Sequence, residues 1–322
     1  MGSTFALYLN EGLIKLPPKL TQVMLDYFVY WYLACLEGLA EDLWKKKDKN
    51  KFYEEDDLDV IKLAIERLSK KHGVKPPIAG DVQKASKNRA VFKNFPVEDF
   101  PIQYLERVAK VKGPEAMEEL KKAHVKFVVS FKEHPKVDMD KDFPLGIFYA
   151  EPAEIIVSIP NMPVKTPKML ELLSTFNHSE ASRVINHTLG TVEHELTHAV
   201  QSMVLHLLHP SQYDPMTGGK SIRGLRKGQA KQEKYFTSAL EFDPWVKSSI
   251  RELKGLFGKH KASTEKDKKE VFTRYVYGDV LSKDVSKADN KKYDRSSFFK
   301  SLKRSDPDKW KKAVKLLSQE VL

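Results

Sequence analysis

The stretch Val192-Glu193-His194-Glu195-Leu196-Thr197-His198-Ala199-Val200-Gln201 decides how the chain is read, because it joins an apolar stripe to a His-Glu-x-x-His motif. Val192, Leu196, Ala199, Val200, Met203 and Leu207 recur at helical spacing, which predicts a helix over about 180–208 with one face on a core. His194 and His198 point nearly opposite to that stripe. Four residues apart, they are rotated by ~40° and separated by ~6 Å along the axis. Both imidazoles can therefore reach one cation and fill two of the four tetrahedral positions of zinc. Glu195 lies ~100° around from His194 and ~60° from His198, beside such an ion rather than on it. That is the place for a general base acting on an activated water. With 10 His and at most 44 Glu in the chain, the motif is expected by chance fewer than roughly 0.04 times.

A third ligand is required. The extended motif with Gly and a third His fails, since position 201 is Gln and position 204 is Val. The segment of about 235–257 offers Glu241 within Ser238-Ala239-Leu240-Glu241-Phe242-Asp243-Pro244-Trp245. A carboxylate among Leu240, Phe242 and Trp245 is costly to bury unless something cationic compensates it. Asp243, Asp214, His206 and His209 are the alternatives. Asp243-Pro244 reads as the N-cap and first residue of a helix carrying Trp245, Ile250, Leu253 and Phe257, which leaves Glu241 on the preceding turn.

The surrounding chain has 322 residues, 41% hydrophobic and 31% charged, enough to build a core and unlike a disordered tail or a disulfide miniprotein. Residues 19 to about 45, after Pro17-Pro18, predict a helix apolar on more than one face. A second amphipathic helix follows at about 56–71. Little pattern is visible over 78–100, and a short helix is expected around 113–123. The period then changes: Val125–Phe131, Gly146–Ala150 and Glu154–Ile159 are β-branched and aromatic runs that predict a small sheet. A helical stretch over about 167–208 leads to a Gly-punctuated basic loop up to about 231, and Ser305-Asp306-Pro307 opens a terminal helix with Trp310, Val314, Leu317 and Val321. The expected class is α+β, mostly helical, with a small mixed sheet. Three consecutive blocks are expected: helices over 1–77, a core carrying the motif over 78–258, and a basic helical extension over 259–322.

His194, Glu195 and His198, with Glu241 downstream, resemble the gluzincin branch of the zincin metallopeptidases over residues 120–260. The pattern is also similar to that of predicted peptidases of bacteriophages and bacteria. The resemblance implies a zincin-like core around the active-site helix, with Zn2+ bound by His194, His198 and Glu241. Glu195 would be the catalytic base, and a protein or peptide the substrate. It further implies a strand that pairs with extended peptide, for which Glu154–Ile159 is the candidate edge, a core strand being the equal alternative for that segment. A group stabilising the oxyanion is also expected, drawn from Tyr235, Tyr213, Arg223 and His187. His187 shares the stripe of the ligand pair but lies ~10 Å from His194 along the axis, which favours a structural role. Many gluzincins carry Asp four residues after the ligand Glu, where this chain has Trp245.

Fifty-five Lys and Arg against 44 Asp and Glu give a net charge of +11, which suits an acidic partner or nucleic acid. The basic region from Lys259 to Arg304 carries Phe272, Tyr275, Tyr277, Tyr293, Phe298 and Phe299, which could stack on bases. Its interspersed acids point instead to a solvated helical face. The single cysteine, Cys35, sits in Leu33-Ala34-Cys35-Leu36 and reads as a buried apolar thiol. One cysteine and a first stretch unlike a secretory signal suggest a cytoplasmic protein, or a virion-associated one if phage-encoded. The longest apolar run, Val23–Leu36, is too short to cross a bilayer.

Overall fold

The computed structural model describes residues 13–46, 55–86, 90–133, 146–149, 153–161, 178–208, 239–277 and 296–322. It is α+β and mostly helical with one small mixed sheet. The elements in chain order are α1 (Pro18–Lys46), α2 (Glu55–His72), α3 (Ala79–Ser86), β1 (Val91–Pro96), α4 (Ile102–Lys112), α5 (Pro114–Lys121), β2 (His124–Glu133), β3 (Gly146–Tyr149) and β4 (Glu154–Asn161). There follow α6 (His178–Leu208), α7 (Ala239–Lys259), α8 (Glu265–Tyr277), α9 (Ser296–Ser305) and α10 (Pro307–Val321). The chain forms two compact units, one of residues 17–100 and 121–192, the other of residues 1–16, 101–120 and 193–322. These units interleave along the chain, whereas the blocks read from the sequence run consecutively.

In the first unit α1 is the central helix. Leu20, Met24, Phe28, Leu33 and Leu36 are all nearly inaccessible, as a helix apolar around most of its circumference requires. Proline at its first position costs nothing there, since that N–H has no intrahelical acceptor. Tyr30 donates its hydroxyl hydrogen to Asp81 of α3 at 2.8 Å. Tyr27 meets Phe95 of β1 and Phe127 of β2 edge-on, with centroids 5.8 and 6.1 Å apart. Cys35 is partly buried, and burial pushes its thiol up to about 12, so it stays protonated at neutral pH.

The sheet order is β1-β2-β4-β3, with β2 and β4 parallel and the outer pairs antiparallel. Val125, Phe127 and Val129 on β2 and Ile155 and Val157 on β4 are fully buried, the alternation of a sheet with one covered face. Lys126 and Glu154 are opposite each other in register and pair at 3.0 Å. Over Glu154–Val157 the alternative of an inner strand holds in place of an edge open to peptide. There β4 has β2 on one side and β3 on the other, so the backbone is committed on both sides, while Ser158 and Ile159 are paired with β2.

The second unit is built around α7. Phe242, Val246, Leu253 and Phe257 from α7 join Phe272, Tyr275 and Val276 from α8, Phe298, Phe299 and Leu302 from α9, and Ala313 and Leu317 from α10 in one core. Asp306 caps α10 by accepting from the Lys309 N–H at 3.0 Å, with Pro307 next, as the sequence predicts. Phe272, Tyr275, Phe298 and Phe299 are therefore core rings and offer no stacking platform to a nucleic acid. Tyr277 is half exposed, with the Lys303 ammonium 4.6 Å from its ring centre. Phe298 stacks on Trp245 at 5.9 Å and 23°. Replacing it by Ala should destabilise this unit by about 3–5 kcal/mol, a large buried ring being lost without collapse of its cavity. A denaturant midpoint measured by circular dichroism checks this.

Helix α7 starts at Ala239, four residues before the expected N-cap, so Pro244 lies inside it. Phe242 is 1% exposed and lies on the stripe of Val246, Leu253 and Phe257. Burying that ring outweighs the one hydrogen bond that Pro244 cannot donate to the Leu240 carbonyl. Among the described residues no helix is long and apolar enough to cross a membrane.

Candidate metal centre

The motif and the predicted third ligand come together within the second unit. Leu196, Ala199, Val200 and Val204 of α6 are at most 1% exposed and seat one face of the helix, which turns His194 and His198 the other way. Their Nε2 atoms approach to 3.3 Å, with ring centroids 5.0 Å apart. Glu241, in the first turn of α7, faces both: Oε2 lies 3.3 Å from His194 Nε2 and Oε1 3.5 Å from His198 Nε2. The unpaired N–H groups at that helix end favour a carboxylate there. The longer helix thus corrects the expected turn and supplies a physical reason for the position of Glu241.

These distances test the fit of an ion. Ligands at ~2.0–2.1 Å around a tetrahedral centre lie ~3.3–3.4 Å from each other, the tetrahedron edge being about 1.63 times the bond. The separations of 3.3, 3.3 and 3.5 Å match that edge. Two imidazole nitrogens and one carboxylate form a donor set suited to a first-row divalent cation. Among the described residues this is the group of three His, Cys, Asp or Glu side chains that could hold a metal.

The electrostatics agree. Burial alone would lower the His198 pKa, but the Glu241 carboxylate, then Glu195 and Gln201, outweigh it and raise it to about 9. Burial likewise opposes ionisation of Glu241, and His198 and His194 overcome it and hold the carboxyl well below its usual range. The site is thus negative enough to attract positive charge, here a shared proton. Glu195 is 8% exposed and acts on His198 through its charge.

A further set of contacts ties α6 to α7. Lys247 donates to Thr197 Oγ1 at 3.2 Å, and Thr197 donates to the Glu193 carbonyl at 2.7 Å. Burial lowers Lys247 to about 8, against the pull of Asp243 and Glu193. Arg251 forms a two-pronged pair with Glu193, its Nε donating to Oε2 at 3.0 Å and its Nη2 to Oε1. Trp245, where a gluzincin-like Asp was the comparison, meets the His194 ring edge-on at 5.7 Å and 83°. His198 donates from Nδ1 to Gln201 Oε1 at 3.0 Å.

Asp243, the nearest alternative ligand, accepts the Ile14 N–H at 3.2 Å and stands apart from the cluster. Burial raises its pKa, opposed by that N–H and by Lys247 and Lys312. Asp214, His209, Tyr213, Arg223, Tyr235 and Tyr293, and the side chains of His187 and His206, lie outside the described residues. Sequence reading missed Gln201, Glu193, Lys247 and Arg251. Gln201 carried a signal, one helical turn after His198. The other three depend on how two helices separated by a long connection meet. Compared with protein-family models, with curated proteins and with solved structures, the chain matches none.

Proposed function

We propose that the chain is a zinc-dependent metallopeptidase of the zincin type, in its gluzincin-like form. The observation that carries the reading is the triangle of His194, His198 and Glu241, spaced as the edge of a tetrahedral zinc site, with a buried glutamate beside it. A zinc ion held by these three side chains would supply a Lewis acid that acidifies water and polarises a peptide carbonyl. Glu195 takes the proton from the attacking water and returns it to the leaving amine. Thr197, Lys247, Glu193 and Arg251 hold the two ligand-bearing helices together, so that the donors meet without a large search.

The test is metal analysis of the purified chain together with hydrolysis of denatured protein and peptide libraries, with and without chelator. One zinc per chain and cleavage that stops on chelation and returns with zinc are expected. Bound zinc with no peptide cleavage would turn the reading toward hydrolysis of another bond. A correctly folded chain that takes up no transition metal would remove it.

A further inference from the structure

We propose that Gln201 is a positioning residue of this centre: it accepts from His198 Nδ1, fixes the tautomer that turns the Nε2 lone pair to the cation, and does so without adding charge. The inference rests on the metal-centre reading and deepens it. A neutral imidazole has one N–H, and its place is decided by what each nitrogen faces. His198 Nδ1 faces Gln201 Oε1 at 3.0 Å, an oxygen that can only accept. The N–H therefore sits at Nδ1. Once the shared proton has left and the ring is neutral, the lone pair sits at Nε2, which lies 3.3 Å from His194 Nε2 and 3.5 Å from Glu241 Oε1, within the donor triangle. The opposite tautomer would set lone pair against lone pair at Nδ1 and aim a hydrogen into the centre.

The position is costly for an amide. Gln201 is 2% exposed, next to Val200 at 1% and near Val204 at 0% on the seated part of the helix. A polar group so buried must be repaid in hydrogen bonds, and one of them goes to a ligand. The chemical type matters as well. A carboxylate behind a metal-binding imidazole raises its basicity and tightens the metal, whereas an amide orients the ring and adds little electron density. Gln201 thus combines a fixed ligand with a more Lewis-acidic ion.

The full chain is stripped with chelator and titrated with Co(II) against a competing chelator, reading both affinity and the visible d–d band. Gln201→Leu should weaken Co(II) about 10- to 100-fold and shift the band. Gln201→Glu, which keeps an acceptor oxygen, should bind at least as tightly as the parent. Should Gln201→Leu lose its far-UV helix signal, Gln201→Met replaces it with the same expected weakening. An unchanged affinity and band in Gln201→Leu, while His198→Ala abolishes binding, overturns the positioning role and leaves the centre intact. Equal weakening in Gln201→Leu and Gln201→Glu marks a packing role and also overturns it. If His198→Ala binds Co(II) as the parent does, the metal centre fails and this inference fails with it.

Discussion

Replacing Glu195 by Gln should lower peptide hydrolysis about 100- to 10,000-fold while the zinc content stays the same. The two side chains are nearly isosteric, so a residue 8% exposed can be exchanged without opening a cavity. What is lost is the ability to take a proton. A loss of that size is ~3–5 kcal/mol of barrier, the usual share of a general base. Metal retention follows from geometry, because the three donors that face each other are His194, His198 and Glu241, with Glu195 outside them. The measurement is kcat/KM on an unstructured peptide beside zinc per chain for parent and variant. Full activity in the variant would take Glu195 out of the reaction, and zinc loss would make it a ligand.

The site was legible in the sequence where its parts were local. His194, Glu195 and His198 lie within five residues on one helix, so spacing alone fixes their relative directions. Glu241 was legible for another reason: a carboxylate between Leu240 and Phe242 implies a positively charged neighbour. Its local conformation was not. Asp243-Pro244 is a strong start signal, yet the tertiary burial of Phe242 draws the helix a turn further. Propensity yields there to a core that includes rings from α8 and α9.

The fold shows the same division. α1, α2 and the strands at 124–133, 146–149 and 154–161 follow from long apolar patterns or β-branched runs. β1 and α4 were missed. Of β1 only Phe95 is buried, so an edge strand paired on one side carries no alternation to read. α4 buries only Tyr104, Leu105 and Val108, one short patch after Pro101. Whether β4 lies at an edge or inside the sheet was left open by its sequence. Strand order is a long-range property, and a parallel partner such as β2 leaves no turn signal between the two.

Removing the metal should destabilise the protein, and the gap between metal-free and zinc-loaded forms should widen as pH rises. In the metal-free form His198 goes from its usual 6.5 to about 9. A raised histidine pKa means a contribution to stability that is fully present below pH 6.5 and lost as pH climbs through about 9. Glu241 is shifted down, so its contribution is present above the ordinary 4.5 and disappears only as pH falls below that. The metal-free protein is therefore best stabilised by this cluster between pH 4.5 and 6.5 and weakens from 6.5 toward 9. Zinc should reverse the slope. Its ligands must be deprotonated, so binding expels the shared proton and strengthens over the same interval. With free zinc at about a thousand times its dissociation constant, the loaded form gains ~4 kcal/mol. For a unit of about 150–250 residues that is a rise in midpoint of roughly 8–16 °C. Thermal melts of chelator-treated and zinc-reconstituted protein across that pH range give both curves. Glu241→Gln should abolish the zinc increment and flatten the metal-free curve, since the carboxylate that draws the proton and completes the donor triangle is gone. Parallel curves, or a metal-free midpoint that holds steady from pH 6.5 to 9, would mean that the two imidazoles and Glu241 do not act as one proton- and metal-binding unit.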